Sequence, residues 1–326
     1  MRRPVGVGCL PDTVMQPTDL PSLLLAPAAA TSTAAEALPR VAFVHPLAVV
    51  ERGARLEEGV HIGPFCHVGA QAVLGAGTRL MSHVCIYGRS TLGRDNVLWP
   101  GAVIGADPQD LKFQGEESTV VIGSGNQIRE MVTIQKGTAN GGGVTQVGDH
   151  NLIMVGAHVA HDCQVGHRVI IANGVQLAGH VHVHDHAIIS GLVAIHHFVS
   201  IGAYAYVGGM ARVTSDVPPF VLFEGHPGRV RALNVIGLER HRFPAASLAA
   251  LKVAFRRLFR ALRQSADPSA PARLSISQRL DQLEQEFPDD PHIARLVTFM
   301  RNSMSGLYGR YLEGLRQDNR RKNPTK

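Results

Sequence analysis

A hexapeptide repeat of aliphatic residues dominates the middle of this 326-residue chain. Val, Leu or Ile occupies every sixth position through 44–104, again through 122–134, and without a break through 147–213. Neither the 3.6-residue period of a helix nor the two-residue period of a half-buried strand produces this spacing. A period of six is typical of a β-helix, in which each hexapeptide forms one face and three faces close a coil. The sequence therefore predicts a mainly β protein built on a parallel β-helix.

The composition changes along the chain in a way that predicts four segments. Residues 1–40, rich in Ala, Pro and Thr, are expected to form a flexible N-terminal extension, and 41–235 to form the β-helix. With three hexads per coil, the repeat builds about nine coils, and residues 18 apart are expected in one column. Residues 236–315 are expected to form a small α-helical domain, and 316–326 a basic flexible tail.

The helical segment is basic. Helical patterns are expected over about 246–263, 275–287 and 291–315, and residues 237–326 hold 17 Lys and Arg against 9 Asp and Glu. Such a surface attracts nucleic acid, an anionic membrane surface or an acidic protein. A solvated helical surface without a partner explains the charge equally well, so charge alone leaves the partner open.

Cysteine usage and hydropathy predict a cytoplasmic protein. The four cysteines show no C-x-x-C spacing, which favours a reducing compartment. No apolar run reaches the length of a membrane-spanning helix. At the N-terminus, Asp12, Asp19 and Pro27 interrupt the charge-then-apolar order of a secretory signal.

Two interruptions of the repeat predict loops that leave the β-helix. The first, within 105–121, keeps the phase of the repeat and contains Gln109, Asp110 and Lys112. The second, within 135–146, is one residue longer than the phase allows and contains three consecutive glycines. Loops on a rigid scaffold are where binding groups concentrate, so we expect both to carry function.

Seven of the 17 histidines fall within 158–186, and one of them has the surroundings of a general base. His161 lies on an expected turn with Asp162 directly after it, and a carboxylate can hold an imidazole in one basic tautomer. Gly179 is 18 residues on, where its N–H can reach an oxyanion, and His197 is 18 residues further. Surface histidines on β-helix corners are also common without catalysis.

The alternating run from His180 through His182 and His184 to His186 allows a second chemistry. In a single strand, these four side chains would point one way. Such a face suits a zinc site shared between subunits, or simply a hydrated surface.

Several motifs in one order closely resemble the UDP-N-acetylglucosamine O-acyltransferases, which start lipid A synthesis. The motifs are His158-Val-Ala-His-Asp-Cys, Gln109-Asp-Leu-Lys, the triple glycine at 141–143, Leu177-Ala-Gly-His180 and Asp216-Val-Pro-Pro. The resemblance covers about 42–243. It implies a left-handed β-helix, against the general right-handed rule for parallel crossovers. It also implies a homotrimer with active sites between subunits, no metal and no cofactor.

The same resemblance implies roles for individual residues. His161 would deprotonate the sugar 3-hydroxyl, Asp162 would orient His161, and the N–H of Gly179 would stabilise the oxyanion. The hydroxyl would attack the thioester of a 3-hydroxyacyl group carried by acyl carrier protein. The positions matching the family's substrate groove are Gln109, Asp110, Lys112, His158, His180, His196 and His197 for the sugar and pantetheine, Asn234 and Arg240 for the nucleotide, and Gly209 for the acyl chain.

Departures from the family pattern leave alternatives open. Some members have Gln where this chain has His197, and Glu and Arg where it has Ile236 and His241. The related UDP-3-O-acylglucosamine N-acyltransferase would need a uridine-binding domain before the β-helix, for which 40 residues are too few. A zinc carbonic anhydrase of the same fold gives the Gln109 loop no role, and a non-catalytic scaffold is the third alternative. Acyl length, a 3-hydroxy or 3-amino sugar and the role of the extension stay open.

Overall fold

A computed structural model describes residues 41–260 and 274–316. Within these residues the chain forms 28 short β-strands followed by helices. The strands are β1 Phe43–Val44, β2 Val49–Val50, β3 Arg55–Leu56, β4 His61–Ile62, β5 His67–Val68, β6 Val73–Leu74, β7 Arg79–Leu80, β8 Cys85–Ile86, β9 Arg89–Leu92, β10 Val97–Leu98, β11 Val103–Ala106, β12 Thr119–Ile122, β13 Gln127–Ile128, β14 Thr133–Gln135, β15 Val144–Val147, β16 Leu152–Ile153, β17 His158–Val159, β18 Gln164–Val165, β19 Ile170–Ile171, β20 Gln176–Leu177, β21 His182–Val183, β22 Ile188–Ile189, β23 Ala194–Ile195, β24 Ser200–Ile201, β25 Tyr206–Val207, β26 Arg212–Val213, β27 Val221–Glu224 and β28 Arg229–Leu233.

The strands form three sheets that the chain visits in rotation. Face 1 contains β1, β4 and every third strand to β25, and it continues into β27 and β28. Face 2 runs from β2 to β26, and face 3 from β3 to β24. All pairs are parallel except β27 with β28. The predicted left-handed parallel β-helix is confirmed.

One aliphatic side chain per hexad fills the interior of the coil. From Ile62 to Val213, these residues are at most 3% exposed, and they form one continuous core. Full burial of such a side chain stabilises a fold by about 1.5–3 kcal/mol. The first coil is less covered, since Val44 at the end of the β-helix is 38% exposed. The stacked aliphatic columns therefore hold the coils together.

A buried polar ladder runs through this apolar interior. Asn126 donates through Nδ2 to Oδ1 of Asn96 (3.0 Å), and the N–H of Asn151 donates to Oδ1 of Asn126 (2.8 Å). Oδ1 of Asn151 accepts from the N–H of Val169 at 2.7 Å. Because buried amides are costly without partners, the ladder fixes how successive coils stack.

The corners of the coil correct one expectation about glycine. The sequence often places Gly directly after the aliphatic residue, as at Gly63 and Gly93, and from the repeat alone such a corner glycine is expected to supply an unusual φ. At these two corners the positive φ falls two positions later, at Phe65 (59°) and Asp95 (54°), whereas Gly105 itself has a φ of 77°. A Cβ at Gly63 would instead collide with the carbonyl of Met81 in the next coil. Close approach of the backbone is the reason for glycine there.

The two interruptions also correct the expected columns of residues 18 apart. Ile104 pairs with Ile134, and Ile134 pairs with Val159, so 30 and 25 residues separate neighbours there. Ile104 lies on face 2 and Ile122 on face 3, which are consecutive faces. The first interruption is therefore one long loop between two faces rather than three hexads in phase. Both loops leave the same corner, from face 2 to face 3.

Helices follow the β-helix. They are α1 Val235–Arg240, α2 Ala245–Phe255 continued by a π-helical turn Arg256–Arg260, α3 Ile276–Glu286, α4 Pro291–Ser305 and α5 Tyr311–Leu315. The expected segments contain α2 to α5, but α1 was not expected, and residues 261–263 lie outside the described residues. Phe220 packs with Leu238, Leu251 and Leu280 in a second core. No helix in 41–260 or 274–316 is long and apolar enough to span a bilayer.

Three further expectations about the chain are not confirmed by the structure. The N-terminal extension and residues 317–326 of the tail lie outside the described residues. The assignment of 236–315 as a separate domain stays a prediction. The histidines at 180–186 do not share one strand, because only His182 lies in β21, whereas His180 and His186 occupy turns with φ of 61° and 60°. The expectation that the four point one way was wrong.

Replacing Gly63 by Ala tests the close-approach explanation. The added methyl group collides with the backbone of the neighbouring coil, so we expect a loss of about 1–3 kcal/mol in the free energy of unfolding. Gly191→Ala is the control, since its Cβ would meet only the carbonyl of Asn173 at 3.5 Å. Denaturant unfolding of both variants measures the difference, and equal stabilities would reject the explanation.

Candidate active site

The corner between faces 2 and 3 brings the predicted catalytic residues into one column. Val159, Leu177 and Ile195 are register neighbours on face 2. The second and third residues after each of them form the corner. The pairs are His161 and Asp162, Gly179 and His180, and His197 and Phe198. Parallel strands repeat at about 4.8 Å, so successive pairs lie about one strand spacing apart.

Asp162 is the anchor of the site. Its side chain is 1% exposed, and a buried carboxylate is costly unless hydrogen bonds surround it. Thr138 donates twice, from its N–H to Oδ1 (2.8 Å) and from Oγ1 to Oδ2 (2.6 Å). The N–H of Asp162 itself donates to Oγ1 of Thr145 at 2.8 Å. A Cβ at Gly141 would collide with the carboxylate, so the glycine-rich loop wraps directly around it.

This carboxylate sets the tautomer of His161. Nδ1 of His161 lies 2.8 Å from Oδ2 of Asp162, and a carboxylate accepts at that position. Nδ1 therefore carries the proton and Nε2 keeps its lone pair. A Cβ at Gly179 would lie 2.6 Å from Nε2. The absence of a side chain at Gly179 leaves room for a hydroxyl group beside the basic nitrogen.

The N–H of Gly179 is the predicted donor to an oxyanion. At some other corners, the N–H at the same position finds a side-chain acceptor, as Ser124 does on Oδ1 of Asp149 and His167 on Oδ1 of Asp185. Among the described residues, no carbonyl accepts the N–H of Gly179. An oxyanion formed next to His161 Nε2 would meet this donor.

An aromatic stack extends the column away from His161. The His180 ring meets the His161 ring edge-on at 5.0 Å and stacks on Phe198 at 4.3 Å, with 6° between the planes. Nδ1 of His180 is 3.8 Å from Oδ2 of Asp162. On face 2, His158 bonds Oγ1 of Thr133 through Nδ1 at 2.7 Å, and burial lowers the pKa of His158. A neutral His158 accepts or donates one hydrogen bond without adding charge.

The two loops meet beside this column. Lys136 pairs with Asp107 at 2.8 Å and lies over the ring of Phe113 at 5.0 Å. Glu116 accepts from the N–H of Ala139 at 3.0 Å. These contacts join the first loop to the second, which holds Asp162.

The first loop presents the three residues that the motif singled out. Gln109 is exposed, and its N–H donates to Oε1 of Gln135 at 3.4 Å. Asp110 is half-buried and accepts from the N–H of Lys112 at 3.0 Å. The loop therefore stands at the corner of His161, as expected for groups that bind a substrate there.

Three other predicted site residues lie elsewhere in this chain. Asn234 caps α1 and donates to the carbonyl of Tyr204, at the corner from face 3 to face 1. Arg240 is exposed in the last turn of α1. Gly209 lies at the corner from face 1 to face 2, where a Cβ would meet the Gly191 carbonyl at 3.5 Å and Cβ of Ser190 at 3.9 Å. One chain does not bring these residues to His161.

The two departures at α1, Ile236 within the helix and His241 at its C-cap, have different surroundings. Ile236 is 53% exposed. His241 meets the rings of His186 at 4.7 Å and Tyr204 at 5.0 Å, and burial lowers its pKa. Both lie at the same corner as Asn234.

His196 and His197 continue the column below Gly179. Their rings are 3.8 Å apart, and Nδ1 of His196 bonds the carbonyl of His197 at 3.1 Å. Nε2 of His197 is 3.7 Å from Oε2 of Glu313, in α5. Burial, followed by the neighbouring His196, lowers the pKa of His197 to about 4, so its ring is neutral at physiological pH.

Sequence reasoning missed the residues that support the site. Thr138 was visible only as part of the glycine-rich interruption, and nothing in its spacing marks it as a partner of Asp162. Phe198 follows His197 and looks like an ordinary corner residue. Glu313 lies beyond the region of resemblance. The contact of each residue with the site is evident only in the folded structure.

The column also contains a possible set of metal ligands. Within the described residues, His161, Asp162 and His180 offer one ligand atom each, all within 4.8 Å of one another. Both oxygens of Asp162 already accept hydrogen bonds from Thr138, and Oδ2 also holds His161. This arrangement suits a carboxylate that orients a base better than one that coordinates zinc.

The chain matches known proteins in both its β-helix and its helical region. The family model described as "Udp N-acetylglucosamine O-acyltransferase; Domain 2" matches residues 216–308, and "Bacterial transferase hexapeptide (six repeats)" matches 145–179. The acyl-[acyl-carrier-protein]--UDP-N-acetylglucosamine O-acyltransferase of Rhizobium johnstonii is 46% identical over 216 residues, which are 66% of this chain and 79% of that protein. This chain belongs to the UDP-N-acetylglucosamine O-acyltransferase family.

Solved structures of UDP-N-acetylglucosamine acyltransferases agree with the family assignment. The Bacteroides fragilis structure is 39% identical with a TM-score of 0.73, covering 80% of this chain and 97% of that one. The Arabidopsis structure is 31% identical with a TM-score of 0.69, covering 81% and 97%. The resemblance seen in the motifs is confirmed.

The stability of the protein should fall in acid because two histidines are held neutral. Burial lowers the pKa of His182 and of His197 from 6.5 to about 4. Between these values the unfolded chain binds more protons than the folded one, so stability present above pH 6.5 is lost as the pH falls towards 4. Denaturant midpoints across this range measure the loss. His182→Gln should flatten the curve, and an unchanged slope in that variant would contradict the assignment for His182.

Proposed function

We propose that this protein transfers a 3-hydroxyacyl group from acyl carrier protein to the 3-hydroxyl of UDP-N-acetylglucosamine, the first step of lipid A biosynthesis. The observation that carries the proposal is the His161–Asp162 pair beside the N–H of Gly179, in a chain of this family. Family membership supports the O-acyl reaction over the N-acyltransferase alternative.

The geometry supports general-base catalysis. Nε2 of His161 accepts the proton of the sugar hydroxyl while its oxygen attacks the thioester carbonyl carbon. The N–H of Gly179 stabilises the resulting oxyanion, and Asp162 stabilises the imidazolium. The tetrahedral intermediate then breaks its carbon–sulfur bond, and the thiolate of the carrier takes the proton from His161. These steps need no cofactor.

A homotrimer would complete the site. Asn234, Arg240 and Gly209 lie at corners other than that of His161, so a neighbouring copy is the natural source of these groups. The corner between faces 1 and 2 exposes Met131 (64%) and Met210 (74%), a surface suited to burial against such a copy. Gly209 would leave room there for the acyl chain.

The remaining proposals concern the binding groove and the compartment. Lys112, Asp110 and Gln109 on the first loop, with His158, His180, His196 and His197 on the column, would line the groove for the sugar and pantetheine. Asn234 and Arg240 would bind the nucleotide. A cytoplasmic location is proposed because acyl carrier protein is the donor, and the described cysteines are free thiols.

Replacing His161 by Ala removes the proposed base. We expect the rate of acyl transfer to fall at least ~10²-fold while the fold stays intact. His167→Ala is a matched control, because His167 also pairs with a carboxylate, Asp149 at 3.0 Å, but at another corner. Transfer from a 3-hydroxyacyl carrier protein to UDP-N-acetylglucosamine is measured for both variants.

The outcomes of this experiment separate the alternatives. A near-normal rate in His161→Ala would remove His161 from the mechanism. Wild-type transfer should survive treatment with a chelator, whereas a zinc requirement would favour the metal site and the anhydrase alternative. No transfer by the wild type would direct the test to the 3-amino sugar.

The basic face of α2 should steer the acidic carrier protein. Lys252, Arg256 and Arg260 are exposed at successive turns. We therefore expect kcat/KM for the acylated carrier to fall as ionic strength rises, because salt screens long-range attraction. Lys252→Glu should lower kcat/KM at low salt.

A small-molecule donor provides the control for steering. A 3-hydroxyacyl pantetheine thioester carries no acidic protein, so its kcat/KM should respond little to salt or to Lys252→Glu. An equal response of both donors would refute steering by this face.

A further inference from the structure

The C-terminal segment around α5 is fastened to the corner that carries the site. The N–H of Asp216 donates to the carbonyl of Gly309 (2.8 Å), and the N–H of Tyr311 donates to Oδ2 of Asp216 (2.9 Å). Arg310 donates to the carbonyl of Thr214 at 2.8 Å. Asp216 and Thr214 belong to the coil that follows His197. The segment therefore has a fixed place at the lower end of the column.

This segment lies beyond the matched family region. The family model ends at residue 308, and α5 begins at Tyr311. The contacts of α5 with the column are thus a feature of this chain that the family match does not cover.

Two charged residues of the segment reach the column. Oε2 of Glu313 is 3.7 Å from Nε2 of His197, and the Arg316 guanidinium lies 5.2 Å from the centre of the Phe198 ring. Glu313 also holds Arg316 at 3.4 Å and Arg310 at 3.2 Å. Phe198 stacks on His180, which contacts His161. A guanidinium therefore ends a continuous line of side chains that begins at the base.

The position of the Arg316 guanidinium favours one of the phosphate groups that the two substrates carry. Phe198 is two coils below Asp162, which corresponds to about 10 Å along the column. In a nucleotide sugar, the diphosphate is attached to C1, two ring carbons from the 3-hydroxyl. In the acyl donor, the whole pantetheine arm separates the thioester from its phosphodiester. A cation beside Phe198, two coils from Asp162, therefore suits the diphosphate better than the phosphodiester of the donor.

We propose that Arg316 binds the diphosphate of the nucleotide sugar, with Glu313 as its positioning residue. The inference rests on the proposed function, which supplies the substrate. Arg suits the role because its planar guanidinium donates paired hydrogen bonds to phosphate oxygens. Its side chain is 24% exposed, so a ligand in the groove can reach it. Stacking on Phe198 and the Glu313 contact hold the guanidinium in place before the substrate arrives.

Kinetics of Arg316→Ala test the proposal. We expect KM for UDP-N-acetylglucosamine to rise about tenfold, a change of ~1.4 kcal/mol, with KM for the acylated carrier unchanged. Arg316→Lys should recover part of the loss, because the charge remains without the paired donors. Arg55→Ala, on β3 at the other end of the β-helix, is the matched control and should behave as wild type.

Equilibrium binding identifies the phosphate as the group recognised. UDP should bind Arg316→Ala about tenfold more weakly than wild type, whereas uridine, which has no phosphate, should bind both equally. Glu313→Gln should weaken UDP binding in the same direction but less. A purely structural role would weaken uridine and UDP alike.

The outcomes distinguish this inference from the proposed function. Unchanged UDP binding and unchanged KM for the nucleotide sugar in Arg316→Ala would overturn it. So would a rise confined to KM for the carrier, which would assign Arg316 to the donor. Wild-type protein that binds UDP but transfers no acyl group would reject the proposed reaction, while the comparison of UDP and uridine would still decide the role of Arg316.

Discussion

The stacking of identical coils is the constraint on which the rest of this structure depends. Each coil places one aliphatic side chain per face in the interior, and parallel hydrogen bonds join it to the next. The backbone is therefore repeated with little variation, and residues at equal positions in successive coils become neighbours. A column of side chains along a corner follows from the core itself, without a dedicated pocket.

The buried carboxylate of Asp162 converts that column into a reactive site. Asp162 adopts the left-handed turn conformation, with φ of 59°, as other corner residues do, but the glycine-rich loop covers its side chain. Thr138 satisfies both carboxylate oxygens there. The cost of burying the carboxylate is offset within the site, and the neighbouring imidazole is left with one free basic nitrogen. The second loop is thus as much a part of the chemistry as the histidine.

The fold could be predicted from the sequence because its period is strict, and the residues that share a corner could be predicted because they follow that period. The 18-residue spacing predicts that His161 and Gly179 share one column with Asp162, and the pairing of Val159 with Leu177 on face 2 agrees. The reason for glycines such as Gly63 was not accessible, since a period cannot distinguish an unusual φ from close backbone contact. The roles of Thr138 and Glu313 were not accessible, because the loop and the C-terminal segment carry no repeat. Phe198 follows the repeat, but nothing in its spacing marks it as the stacking partner of His180. The roles of Asn234, Arg240 and Gly209 depend on a second chain.

The rotation of the chain through three faces has an evolutionary consequence. Deleting one hexapeptide would preserve every buried column, since each downstream strand would still find an aliphatic neighbour. All later corners would nevertheless move to the adjacent edge, and a deletion between the second loop and His161 would separate His161 from both loops. Insertions at a corner, such as the two observed here, leave the assignment of later strands to faces unchanged. Related β-helices can therefore differ in the length of their corner loops, whereas the number of hexapeptides before a site can change only by three, which is one complete coil.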